Sequence, residues 1–192
     1  MKTSVIVATY NRPLYLRLCL LSLAASSVRP DEVLVADDGS TFETVDTIRE
    51  MQTSLKEVFP ILHVRQERKG IRKQIVVNEA VRQSSGDYLF FTDGDCIVQR
   101  HCLREHLQRS DPRAILAGQR VQLGKQLTEK LLNNGTVVNT LTLEMLVDFL
   151  ARRSHHFYAA FVMRNLLLRR LLRKGLIKPT TSVIGCNCSL PK

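Results

Sequence analysis

Two aspartates separated by one glycine, Asp93-Gly94-Asp95, set two hard oxygen ligands beside a residue that allows close backbone approach. Such a triplet can share a divalent cation with phosphate oxygens, and magnesium or manganese suits it because either keeps several waters. The same triplet also reads as a solvated turn after a strand. Asp37-Asp38-Gly39-Ser40 has two readings of its own: a turn in which Asp bonds nearby backbone and Gly takes a positive φ, or a carboxylate that recognises a ribose or base edge. Arg68, Lys69, Arg72 and Lys73 crowd the start of an expected helix, where they would neutralise a diphosphate or form a solvated basic face. The five histidines (His63, His101, His106, His155, His156) show no HExxH spacing, and the five cysteines (Cys19, Cys96, Cys102, Cys186, Cys188) no CxxC pair. Neither set predicts zinc, and the thiols are expected to be reduced and mostly buried.

The elements around these residues predict where they meet. Thr3 to Thr9 is a β-branched apolar run, and Pro13 suits the first turn of the helix that Leu14, Leu18, Leu21 and Ala25 mark by their spacing. Glu32 to Ala36 is expected to be a second buried strand, Phe42 to Leu55 a polar helix, Ile61 to Val64 a third strand, Gly70 to Gln83 a helix and Gly86 to Thr92 a fourth strand. Strands alternating with helices predict an α/β fold, a mostly parallel central sheet with helices on both faces. Ligands of such sheets bind outside the carboxyl ends of the strands, where Thr9 to Arg12, Asp37 to Ser40 and Asp93 to Asp95 all fall. Beyond them, Ala114 to Leu123 predicts another strand, followed by a helical pattern through Lys174 with segments at 141–152 and 159–174. A strand is expected over 181–190.

The chain has 192 residues and a formal charge of +10, a length that suits one domain. The charge is uneven: residues 1–96 hold 12 basic and 13 acidic side chains, residues 97–192 hold 16 and 5. An excess of that kind favours nucleic acid, an anionic membrane face or phosphate-bearing substrates, and charge alone does not choose. Sparse aromatics and the absence of Trp weigh against base stacking, so no nucleic-acid partner is expected. No run of about 18 uncharged apolar residues occurs, which predicts a cytoplasmic protein that does not span a membrane. Phe161, Leu168, Leu171 and Leu172 lie among Arg164, Arg169, Arg170, Arg173 and Lys174, a pattern of either a core helix or a helix lying on the inner face of a membrane.

Taken in order, SVIVATYNRP, VADDGST, GIRKQIVVN (Gly70 to Asn78), GDYLFFTDGDC and IGCNCSLPK resemble the successive motifs of the family 2 inverting glycosyltransferases. The resemblance implies the Rossmann-like nucleotide-diphospho-sugar transferase fold. It implies one domain over 1–192, with 1–96 as the nucleotide-binding half and 97–192 as a basic, incomplete acceptor-side half. It further implies that Thr9, Tyr10, Asn11 and Arg12 line a base and ribose pocket, that Asp38 binds the nucleoside edge, and that Arg72 lies near the base or diphosphate. Asp93 would face the ribose or metal, and Asp95 would hold the Mg²⁺ or Mn²⁺ that bridges two phosphates. The implied partners are a nucleotide-diphosphate sugar and a glycan or lipid-linked acceptor, as in cell-envelope polysaccharide synthesis. In this family the general base follows the GCN segment, so it is expected beyond Lys192, and the 192-residue chain is expected to be truncated and impaired in transfer. A second reading is an inactive basic module that binds membrane or nucleic acid. A nucleotidyltransferase would show a glycine-rich loop after the first strand, and Ala8 to Pro13 contains no glycine.

Overall fold

The computed structural model describes residues 1–135, 143–151 and 186–192. The elements in chain order are β1 (Thr3–Thr9), α1 (Pro13–Ala24), β2 (Glu32–Asp37), α2 (Phe42–Ser54), β3 (Ile61–Arg65), α3 (Lys73–Gln83), β4 (Tyr88–Asp93), α4 (Cys102–Gln108), β5 (Leu116–Ala117), α5 (Lys125–Asn134), α6 (Leu143–Leu150) and β6 (Cys188–Pro191). They build a six-stranded sheet in the order β3-β2-β1-β4-β6-β5. The first four strands are mutually parallel, and β6 runs antiparallel to both β4 and β5.

The continuous apolar runs of β1 and β2 are buried along their whole length, because helices cover both faces of a parallel sheet. The period of two divides them. Val5, Val7, Val33 and Val35 face one core with Phe90, Leu16, Leu20, Leu23, Ile48 and Leu103, which places α1, α2 and α4 on that side. Ile6, Leu34 and Ala36 face the other, against Val76 and Ala80 of α3. Each fully buried leucine of α1 contributes roughly 1.5–3 kcal/mol relative to exposure. Proline at its first turn costs that helix no hydrogen bond.

The antiparallel strand β6 is anchored by a buried polar cluster. Ser189 Oγ lies 2.6 Å from Tyr88 Oη and 2.6 Å from His106 Nδ1, and the His106 ring meets Phe90 edge-on at 5.0 Å between centroids. Burial, joined by the Arg109 charge, pushes the His106 imidazole below its ordinary value against opposing pulls from Asn187 and Glu105.

Four boundaries differ from expectation. Helix α3 begins at Lys73 and not at Gly70, since Gly70 has φ +83° and the Arg72 amide donates to Asp38 Oδ2 at 3.1 Å instead of entering a helical turn. Strand β4 begins at Tyr88: the Gly86 amide donates to Ser4 Oγ at 2.9 Å, outside the ladder. The long strand expected over 114–123 shrinks to Leu116–Ala117 because Asn187 takes over the pairing. Its carbonyl accepts from Gly118 N at 2.7 Å, its Nδ2 donates to Gln119 O at 3.0 Å, and a Cβ on Gly118 would lie 2.2 Å from that amide. The last strand occupies Cys188–Pro191. Helix α4 had no counterpart in the sequence pattern, being only 7 residues long. The 159–174 segment and residues 181–185 lie outside the described residues. All five cysteines are free, and among the described residues no helix is long and apolar enough to cross a membrane.

Candidate functional site

Parallel register brings the three polar clusters together. Thr9 pairs across from Asp37, and Ala8 from Asp93, so β1, β2 and β4 all end at one rim. Beyond the ladders, Asp38 N donates to Thr9 O at 3.1 Å and Gly94 N to Ala8 O at 2.8 Å, which ties the three loops together. Between them opens a cleft of about 400 Å³ lined by Ala8, Thr9, Tyr10 and Arg12 from β1 and its loop, Asp38 from the second loop, Arg68, Ile71 and Lys73 from the approach to α3, and Asp93, Gly94 and Asp95. Three cations and three carboxylates therefore share its wall.

At one end, the two aspartates after β2 take different tasks. Asp37 is fully buried and faces away from the cleft. Its Oδ1 accepts from Ser40 N at 2.8 Å and Ser40 Oγ at 2.5 Å, and its Oδ2 lies 2.9 Å from His63 Nε2 and 3.5 Å from Arg65 Nε. Burial alone would raise the Asp37 carboxyl; the hydrogen bonds of His63 and Ser40 together outweigh it and hold the group below its ordinary value. The Ser40 hydroxyl in turn accepts from Asn11 N at 3.0 Å, and Asn11 Oδ1 accepts from Thr41 N at 2.8 Å. That grip holds Asn11 at φ +49°, a left-handed conformation in which Asn is better tolerated than most residues. Asp38 instead lines the cleft. It accepts from Gln66 Nε2, from Arg68 Nη1 at 2.6 Å and from the Arg72 amide, while the Arg68 guanidinium lies 4.0 Å from the Tyr10 ring centroid.

At the other end, Lys73 Nζ pairs with Asp93 Oδ1. Asp95 has no ion-pair partner among the described residues; Cys96 Sγ donates to its Oδ1 at 3.7 Å. A Cβ on Gly94 would stand 3.2 Å from Ala8 O and from Thr9 Oγ1, so the glycine lets the turn press against β1. Thr9 Oγ1 is buried there with no hydrogen-bond partner among the described residues. Two carboxylates and a hydroxyl oxygen are hard donors of the type that magnesium and manganese prefer. They fit such an ion as a partial shell only, since no group of three or more His, Cys, Asp or Glu side chains gathers among the described residues. The remaining ligands would have to be water and phosphate oxygen, which is usual for a magnesium site.

Of the residues expected at the site, Thr9, Tyr10, Arg12, Asp38, Asp93 and Asp95 line one cleft. Asn11 and Arg72 are not among the residues that line it. Asn11 orders the loop, and Arg72 reaches Asp38 through its backbone while its Nη2 donates to Glu67 O at 2.7 Å. Arg68 and Lys73, read from sequence only as part of a basic cluster, each hold one of the cleft's aspartates. His63 and Ser40 were missed as supports of Asp37. Their only signal was the Asp-x-x-Ser spacing of an Asx-type turn, and a histidine 26 positions away carries none. Elsewhere, Cys186 Sγ accepts from Arg120 Nη1 at 3.7 Å, a meeting of residues 66 positions apart.

Comparison with known proteins agrees with this architecture. The chain is 34% identical over 110 residues to the uncharacterized glycosyltransferase YfnE of Bacillus subtilis (strain 168), a stretch covering 56% of this chain and 26% of that protein. It is 38% identical over 92 residues to the validoxylamine A glucosyltransferase of Streptomyces hygroscopicus subsp. limoneus, covering 47% and 19% respectively. The chain thus spans about a fifth to a quarter of the length of these two relatives. Its fold is similar to that of the mannosyltransferase PcManGT from Pyrobaculum calidifontis, solved with GDP-Man and Mn²⁺, at a TM-score of 0.55 and 24% identity, covering 62% of this chain and 35% of that one. Residues 4–168 match the profile described as Glycosyl transferase family 2, and with the parallel sheet and its rim cleft this identifies the chain as a member of that family.

Proposed function

We propose that the cleft binds a nucleotide-diphosphate sugar together with Mg²⁺ or Mn²⁺, and that the chain serves inverting glycosyl transfer to a glycan or lipid-linked glycan acceptor. The observation that carries this reading is the convergence of Asp38, Asp93 and Asp95 with Tyr10 and Arg12 on one rim at the carboxyl ends of β1, β2 and β4, in a chain of this family. Tyr10 offers an aromatic face and Asp38 a carboxylate to the nucleoside, with Thr9, Asn11 and Arg12 shaping the loop around the ribose. Asp93 and Asp95 would hold the cation. When bound, the cation supplies Lewis-acid stabilisation of the charge that grows on the departing diphosphate.

The chain's own residues do the rest of the donor's work. Arg12 and Lys73 add positive charge on the same wall, and Lys73 keeps Asp93 neutralised until phosphate or cation competes for either partner. Arg72 acts through its backbone contact with Asp38. In an inverting transfer the acceptor hydroxyl attacks the anomeric carbon from the face opposite the diphosphate and must give its proton to a base. Asp148, the last acidic residue in the sequence, is buried and accepts from Gly124 N at 3.0 Å, so it is spoken for structurally. We infer that residues 1–96 bind the donor and that the basic residues 97–192 face the acceptor. Their excess charge supports peripheral contact with an anionic membrane face.

Calorimetry with uridine and guanosine diphosphates, with and without Mn²⁺, tests the reading. Binding should be metal-dependent, and Asp95→Ala should weaken the metal-dependent part by well over ~1 kcal/mol while leaving the fold intact. Unchanged metal-dependent affinity in Asp95→Ala would reject the assignment of the cation to Asp95.

A further inference from the structure

Arg68 treats the Tyr10 and Asp38 side chains as a ligand would. Its guanidinium carbon lies 4.0 Å from the Tyr10 ring centroid, and its Nη1 donates to Asp38 Oδ2 at 2.6 Å. A guanidinium is flat, with N–H donors in its plane. One face stacks on an aromatic ring while the edge donates to a carboxylate, the same pair of contacts that a flat heterocycle with ring N–H groups makes.

The position of Arg68 is built into the backbone. Gly39 has φ +80°, and a Cβ there would stand 2.7 Å from Arg68 N and 2.9 Å from both its Cα and Cβ. Only glycine lets residue 68 sit directly on the turn that carries Asp38. Gln66 secures the same approach from the other side, its Nε2 donating to Asp38 and to Arg72 O at 3.0 Å. Asp38 is 4% exposed, so it must exchange one close partner for another and cannot simply turn to solvent.

We propose that Arg68 is an internal occupant of the Tyr10–Asp38 pair, which a flat base bearing N–H donors, of the uracil or guanine type, must displace in order to bind. The inference rests on the reading that this end of the cleft takes the nucleoside. Displacement leaves the guanidinium in a cleft that Arg12 and Lys73 already make favourable to phosphate, so its charge then favours the diphosphate. Arg68 is thus a specificity residue with two opposite effects: it penalises the nucleoside alone and rewards the phosphorylated form, and so it raises selection for the intact donor against free nucleosides.

The test compares the full chain with Arg68→Ala and Arg68→Lys, using NMR titration of uridine and guanosine and calorimetry of the corresponding diphosphates with Mn²⁺. Removing a stacked and paired guanidinium should strengthen nucleoside binding by roughly fivefold or more. Diphosphate binding should gain less than that or weaken, so the preference for diphosphate over nucleoside falls. Arg68→Lys, which keeps the charge and loses the flat fork, should lie between. Methylguanidinium chloride should bind Arg68→Ala saturably and wild type not at all, with methylammonium chloride as control; this arm reads the Tyr10–Asp38 pair whether or not nucleotides bind. Diphosphate binding to wild type, with nucleoside affinity in Arg68→Ala unchanged or reduced, would overturn the role of Arg68 and leave the nucleotide reading standing. Absence of diphosphate binding to every variant would reject the nucleotide reading, and the displacement proposal with it.

Discussion

Replacing Asp37 by Asn changes one oxygen to an amide at a fully buried position, and the structure predicts a large loss. The carboxylate receives Ser40 N at 2.8 Å, Ser40 Oγ at 2.5 Å and His63 Nε2 at 2.9 Å, with Arg65 Nε at 3.5 Å. Asn can keep its oxygen toward Ser40, and then its NH₂ group faces the ring nitrogen of His63 and the Arg65 guanidinium. Hydrogen bonds to a charged group are each worth about 1.5–3 kcal/mol, and removing one partner of a buried pair typically costs about 3–5 kcal/mol. Arg65 is about half exposed, which lowers its share, so the expected loss is about 3 kcal/mol. Urea unfolding followed by circular dichroism at pH 7 measures it, and the slope should not change. Acid supplies a second reading. The folded-state carboxyl sits below its ordinary value, so its stabilisation is complete above the unfolded carboxyl's range and is lost as pH falls through the folded value. The gap between wild type and Asp37→Asn should therefore narrow as pH falls from 6 toward 3. A gap below about 1 kcal/mol at pH 7, or one that stays constant into acid, would refute the account of Asp37 as the charged support of the Asn11 loop.

Three further outcomes are expected. Gly39→Ala should cost roughly 2 kcal/mol or more, because a positive φ and a backbone clash with Arg68 act together; a loss under about 0.5 kcal/mol in urea unfolding would show that the turn relaxes freely. His106 is held below its ordinary value, so the unfolded chain takes up the proton first: stability should be full above about pH 7 and decline as pH drops through the histidine range. His106→Gln should lack that component between pH 7.5 and 5.5, and equal slopes for both proteins would contradict it. If the basic half meets a membrane face, co-sedimentation with liposomes should rise with anionic lipid and fall with salt, since exposed charge is screened over about 8 Å at physiological ionic strength. Equal binding to neutral liposomes would reject that contact.

Periodicity and punctuation along the chain govern the central strands and the loops that follow them. The runs 3–9 and 32–36 are mostly apolar without alternation, which marks central strands of a covered parallel sheet, and the carboxyl ends of those strands carry the polar loops. That reasoning brought Thr9, Tyr10, Arg12, Asp38, Asp93 and Asp95 to one rim, as found. Local pattern says nothing about which of two adjacent carboxylates turns inward, and tertiary structure decided it: Asp37 goes to His63 and Ser40, Asp38 to the cleft. It likewise decided the antiparallel insertion of β6 beside β4, where a buried Tyr88–Ser189–His106 cluster joins residues up to 101 positions apart. The shortening of β5 belongs with these, because Asn187, through its backbone carbonyl and its side-chain amide, takes the place of the ladder beyond Ala117. Each of these outcomes depends on a partner distant in sequence satisfying a buried polar group. The energy of such a group is set by what surrounds it in space, and no window along the chain contains that information.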